Sequence, residues 1–317
     1  MPASPSFPTA SRLGLATALL TFCLIVIGSL VRATGSGLAC PDWPLCQGRW
    51  VPPLESHVLI EWFHRLVALL VSLAIVSLGA LTLSIGPLRR RLGGLVVLLW
   101  ALLGVQVLLG ALTVWKLLDP SVVSGHLAVA LLIFSTLVTY TRRARSAEAD
   151  HAAAAVRPAG LLPAFAGATA LTYGQSLLGG VVSSRNAGLA CPDWPTCFGA
   201  WLPPMEGLVG IQMAHRFGAY LLTAVVLTAA ATARQAPDPH VRREGQLALA
   251  LVVVQVVLGG SNVYLRTPAW LSAVHLATAT ALLGVLVDAM LRIQALPRGA
   301  VATTPAAVLR AGAVTST

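Results

Sequence analysis

Long apolar stretches alternate with short polar connections along almost the whole chain. Eight can be drawn, over residues 13–31, 59–85, 92–114, 122–140, 161–182, 208–232, 247–265 and 270–291. Each offers about the 20 residues that an α-helix needs to cross the hydrocarbon core of a bilayer. The pattern predicts an all-α integral membrane protein with eight transmembrane helices. Composition agrees: 10% of residues are charged, where soluble domains carry about 25%. The Pro- and Ser-containing start, residues 1–11, reads as a short disordered tail.

The pattern is written twice. Residues 37–46 read GLACPDWPLC and residues 188–197 read GLACPDWPTC, nine of ten positions being identical at an offset of 151. At that offset Gly48, Trp50, Pro52, Pro53 and Glu55 recur as Gly199, Trp201, Pro203, Pro204 and Glu206, and His64-Arg65 recurs as His215-Arg216. Gly28–Val31 likewise precedes Gly179–Val182, so the first span has a partner within the protein and is not a cleaved signal peptide. Later in each half the offset becomes 149: Gln106–Gly110 matches Gln255–Gly259, and His126 matches His275. A repeat of this length means two copies of one structural unit. The expected architecture is two tandem four-helix bundles, residues 1–140 and 161–292, joined by a cytoplasmic linker at 141–160. A cytoplasmic tail, 293–317, follows. An even number of spans per copy gives both the same orientation, related by a pseudo-two-fold axis along the membrane normal.

The net charge of +10 changes the picture only through its distribution. Arg89, Arg90 and Arg91 fall between spans two and three, Arg142, Arg143, Arg145 and Arg157 between four and five, and Arg234, Arg242 and Arg243 between six and seven. Such clustering is a topology signal, not a nucleic-acid footprint. It places both termini in the cytoplasm and both cysteine loops outside, with membrane lipid as a partner of the basic edge.

Candidate chemistry gathers near the outer ends of spans two, four, six and eight, where His64, His126, His215 and His275 lie. Ionisable residues inside spans are costly and mark functional sites. Two imidazoles per half, on separate helices and without other metal ligands nearby, suit axial ligation of haem iron; zinc wants three or four protein ligands. Arg65 and Arg216 follow two of these histidines and are candidates for binding haem propionates, or for snorkelling to the interface. Glu61 stands three residues before His64, on the same helix face, whereas Gln212 holds that place before His215. A carboxylate can move protons where an amide only hydrogen-bonds, so Glu61 is the candidate catalytic group and the first half the reactive one. Cys40–Cys46 and Cys191–Cys197 can serve as structural disulfide staples, as redox-active pairs or as a four-cysteine metal site. Cys23, in the first span, reads as a small packed residue.

Eight spans in two halves, E-x-x-H-R in span two, one histidine in each even-numbered span and cysteine pairs in the first and third outer loops resemble the bacterial haem A synthase family, over residues 12–292. The resemblance implies oxidation of a ring methyl of haem O to the formyl group of haem A, through successive hydroxylations, for haem–copper terminal oxidases. It further implies that Glu61, His64 and His126 form the haem O site and that His215 and His275 ligate a haem b. The implied setting is the bacterial plasma membrane, with an unidentified electron donor and with haem O synthase and oxidase assembly factors as partners. Two other classes share part of the pattern: a di-haem b-type cytochrome that only transfers electrons, and a membrane thiol oxidoreductase using the loop cysteines.

Overall fold

The computed structural model describes residues 6–53, 55–146 and 157–297. These form eight α-helices: α1 (Ser6–Ala33), α2 (Ser56–Ser84), α3 (Gly86–Trp115), α4 (Pro120–Arg145), α5 (Leu161–Ser184), α6 (Gly207–Ala233), α7 (Pro239–Tyr264) and α8 (Ala269–Ala295). A short 3₁₀ turn, Ala187–Leu189, follows α5. All-helical structure is what a bilayer demands, because a helix satisfies its own backbone hydrogen bonds where no water is available.

The starts of α4 and α7 are written in the sequence as Asp-Pro. Asp119 accepts the main-chain N–H groups of Ser121 at 2.9 Å and Val122 at 3.4 Å, and Pro120 supplies a preset first turn. Asp238 accepts the N–H of His240 at 2.8 Å ahead of Pro239. Two expected boundaries move. Helix α1 begins at Ser6, so residues 6–11 belong to it and not to a tail; residues 1–5 lie outside the described residues. Helix α4 continues through Arg145, into the stretch expected as linker. Most of that linker, 147–156, and the end of the tail, 298–317, also lie outside the described residues.

Seven of the eight helices are long and apolar enough to cross a membrane. The eighth, α5, is long enough at 24 residues but carries Thr172, Tyr173, Gln175 and Ser176 in its middle. Its neighbours explain why. Helix α5 packs against α6 and α8 and touches α4, so its polar side chains find partners inside the protein. Tyr173 donates to the Ala128 carbonyl across the α4–α5 contact at 3.3 Å, and Gln175 bonds to α6. Elsewhere large apolar side chains face outward, among them Leu69, Leu73, Val97, Leu108, Leu221 and Val257. That is a lipid-facing surface, since a helix apolar on its outer face has no reason to be so in water. Cys23 belongs to that surface: it is exposed on α1, not packed as the sequence suggested. A small thiol on the lipid side needs no packing partner, because hydrocarbon supplies the apolar surroundings.

Helices α1 to α4 pack in a ring, each against its chain neighbours and α1 against α4; α5 to α8 do the same. Between the rings α1 meets α8 and α4 meets α5 and α8. Ile25, Leu131, Phe134, Leu283 and Val287 bury themselves there. Polar clamps close both ends of this seam. At one end Arg32 of α1 donates to the Ser183 carbonyl at 2.6 Å and to Asn186 Oδ1 at 2.7 Å. At the other, Arg142 of α4 makes a forked pair with Asp288 of α8, its Nε lying 2.6 Å from Oδ1.

Candidate functional site

Each of the four histidines sits against a glycine of the preceding helix. A methyl group added at Gly28 of α1 would lie 3.1 Å from Cε1 of His64, and one at Gly110 of α3 would lie 3.3 Å from Cε1 of His126. In the second half the same distances are 3.1 Å from Gly179 to His215 and 3.4 Å from Gly259 to His275. The glycines therefore let the Cε1 edge of each imidazole come close to a neighbouring backbone. Sequence reading had used these glycines only as markers of the repeat. Their recurrence at the same two offsets as the histidines was the signal that they belong to the site.

His64 and His126 lie within electrostatic reach of one another, as do His215 and His275. All four rings are only half-buried by protein. Three of them, those of His64, His126 and His275, nevertheless have a fully buried Nδ1 with no hydrogen-bond partner. An unpartnered ring nitrogen in such surroundings is costly. Gln106 and Gln255 each bring Nε2 to 3.3 Å from Nε2 of His126 and His275. His57, in the first turn of α2, bonds Ser36 Oγ at 2.8 Å and stands apart from the site.

Glu61 is 4% exposed, and both carboxylate oxygens are engaged. Oε2 accepts the main-chain N–H of Cys40 at 2.8 Å, and Oε1 pairs with Arg65 Nη2 at 2.6 Å. The shared helix face was legible, but the carboxylate turns up towards the loop, because a buried anion needs donors and the loop supplies one. Arg65 goes further, donating to the carbonyls of Cys40, Asp42 and Leu45 at 2.9, 2.7 and 2.6 Å. Arg216 repeats this with Cys191 at 3.2 Å, Asp193 at 2.8 Å and Thr196. Both arginines, candidates for binding propionates or for snorkelling, clamp the loops; of their nitrogens, Arg216 Nε is buried and unpartnered. Gln212, in the place of Glu61, makes only a 3.3 Å bond to the Gly188 carbonyl and leaves Oε1 unpartnered.

The loops are built alike. Disulfides join Cys40 to Cys46 and Cys191 to Cys197, with Cα atoms 4.6 and 4.8 Å apart. All four cysteines are at most 2% exposed. Burial shields a disulfide from the thiolates that would exchange it, which disfavours the thiol-oxidoreductase reading. Asp42 accepts the N–H groups of Gln47 and Gly48 at 2.6 and 2.8 Å. Asp193 does the same for Phe198 and Gly199 at 2.6 and 2.9 Å and takes the Thr196 hydroxyl at 2.6 Å. The Thr196 hydroxyl and these amides hold the Asp193 carboxyl down at about 2, and the Gly48 amide lowers that of Asp42. Each loop then sends a tryptophan across its bundle. Trp43 packs edge-on to Trp115 at the end of α3, with ring centroids 6.0 Å apart. Trp194 lies over Gly260 of α7, where an added methyl would come within 3.2 Å of its ring. Trp194 lands beside Gly259, which seats His275, and Trp43 about one and a half turns beyond Gly110, which seats His126.

Among the described residues no group of three or more His, Cys, Asp or Glu side chains gathers to hold a metal ion. Two imidazoles alone suit a metal that brings its own equatorial ligands.

A family model described as cytochrome oxidase assembly protein matches residues 11–287. The chain is 32% identical over 253 residues to the heme A synthase of Symbiobacterium thermophilum, which covers 77% of this chain and 82% of that one. It is 31% identical over 335 residues to the heme A synthase of Methylobacterium sp. (strain 4-46), covering 89% and 91%. To that of Geobacillus kaustophilus it is 30% identical over 277 residues, covering 86% and 87%.

Proposed function

We propose that this chain, which belongs to the COX15-CtaA family of cytochrome oxidase assembly proteins, is a multi-pass membrane haem A synthase. It oxidises a ring methyl of haem O to the formyl group of haem A. Two hydroxylations at one carbon give a hydrate, and loss of water leaves the aldehyde. The observation that carries the reading is the pair of glycine-seated imidazoles in each half, at matching places in the two copies.

The finer assignments follow from where the copies differ. The first half, with His64 and His126, takes the substrate haem O; the second, with His215 and His275, holds a resident haem b as cofactor. That haem supplies redox-active iron when bound. The two halves are tandem bundles related by a pseudo-two-fold axis, all eight helices cross the bilayer, both termini are cytoplasmic, and the disulfide loops face outside. Supporting this, the arginine-rich connections lie at one end of the helices and the disulfide loops at the other.

The protein's own groups have separable tasks. The imidazoles orient the porphyrin, and the glycines let its histidines lie back. Arg65 and Glu61 hold the first disulfide loop down, and Trp43 reaches from that loop to the end of α3. Glu61, one helical turn from His64, is the proposed catalytic carboxylate, taking up or delivering protons as the methyl carbon is oxidised.

Co-expression with a haem O synthase, followed by haem extraction and chromatography, tests the reading. Haem A, or its hydroxylated precursor, is the expected new species. Extracts containing haem O alone would return the chain to the electron-transferring cytochrome class.

A further inference from the structure

The two halves differ behind the histidine as well as in front of it. In the second half, Gln175 of α5 reaches His215 of α6: its Nε2 lies 2.9 Å from Nδ1 of the ring and donates to the His215 carbonyl at 2.7 Å. The amide fits because the next turn of α6 carries Gly218. A methyl group there would lie 2.2 Å from Gln175 Oε1, so any side chain at 218 would occupy the place of the amide. At the offset of 151, the first half has Leu24 for Gln175 and Val67 for Gly218. Val67 is 6% exposed and Leu24 packs into the same core cluster. The polar seat is therefore filled with hydrocarbon, and His64 Nδ1 is left buried without a partner.

Both rings share the same glycine backing, Gly28 and Gly179, at the same 3.1 Å distance. The contrast lies only in the second pair of residues. An outer partner to the non-ligating nitrogen fixes the orientation of a ligand imidazole. The Gln175 amide nitrogen, which donates to the His215 carbonyl, also lies against Nδ1 and holds the ring in place; leucine and valine make no such bond.

We infer that Gln175, lodged in the space left by Gly218, is a positioning residue for His215 that makes the second-half haem resident, and that the Leu24–Val67 pair leaves His64 the releasable ligand a substrate site requires. The inference rests on the haem reading proposed above. It joins two polarity changes on adjacent helices that otherwise have no common purpose. It also gives a reason for the low hydropathy of α5.

The test uses the full-length protein purified in detergent with its bound haem b. Gln175→Leu should release haem to apomyoglobin about 10-fold faster or more, the usual cost of removing an outer-shell partner. Its haem midpoint potential should shift, because the imidazole loses the partner that fixes its orientation. Gly218→Val should do the same with Gln175 still present. Gln175→Glu should restore retention and drive the potential below that of the wild type, which a purely structural role would not do. Release at the wild-type rate and an unchanged potential in both Gln175→Leu and Gly218→Val would overturn the inference. Wild-type protein that carries no haem overturns the haem reading itself, and that outcome is seen before any variant is made.

Discussion

At the scale of single residues, Glu61 is the position where the two copies part company most consequentially. Its carboxylate is buried and holds two donors, the Cys40 amide and Arg65. Glu61→Gln keeps the shape but removes the charge, so it can no longer pair with Arg65 as an anion. We expect this variant to keep its haem b absorbance and to lose haem A formation by about 100-fold or more, the range for removing a general acid or base. Pyridine haemochrome spectra and haem chromatography on the same preparation separate that result from simple unfolding. A fully active Glu61→Gln would reduce Glu61 to an anchor of the loop. The i,i+3 spacing made its kinship with His64 legible in the sequence. The turn of its carboxylate towards the loop was not legible, because the Cys40 N–H arrives from a segment 21 residues away.

At the scale of elements, the disulfide loops and the arginines beneath them act as one unit. A disulfide across six residues of separation stabilises by roughly 2 kcal/mol through the chain entropy it removes from the unfolded state. The Arg65 clamp adds to this: Arg65→Ala would strand three loop carbonyls and the Glu61 carboxylate together. Replacing all four loop cysteines with serine should therefore lower the thermal midpoint and the yield in detergent while leaving the identity of the product unchanged. A shift from haem A to unreacted haem O, with no loss of thermal stability, would instead favour a redox role. The cysteine spacing admitted three readings, and the pairing and burial of the cysteines favour the structural staple. Burial could not be read from the motif, since it comes from the side chains that α2 and α6 bring up beneath each loop. Helix α5 carries a similar lesson. Its polar residues weaken it as a membrane span by composition, and only its contacts with α4, α6 and α8 show that they are satisfied.

At the scale of the whole molecule, the two rings are joined by an apolar seam with an ionic clamp on the arginine-rich side. Arg142 pairs with Asp288 and approaches Glu244 to 3.9 Å, while Arg292 reaches Glu244 at 3.2 Å. Arg142→Ala would leave Asp238, Glu244 and Asp288 sharing Arg292 in partly buried surroundings. We expect a loss of about 2–3 kcal/mol, towards the lower end for a broken buried pair, read as a lower thermal midpoint; an unchanged midpoint would mean the apolar seam alone joins the rings. Nothing in the sequence singled out Arg142 from its neighbours Arg143 and Arg145, because which arginine faces the seam depends on the rotation of α4. The sequence alone determined that the protein is helical and membrane-embedded, and that four histidines and four cysteines recur in two copies of one pattern. Hydrophobic length, positional identity and ligand type are local properties, preserved in the order of residues. The tertiary structure decided which face each helix presents. Through that it decided that glycines seat the histidines, that the arginines clamp loops, and that Gln175 meets His215 across a gap where the first half has only leucine and valine.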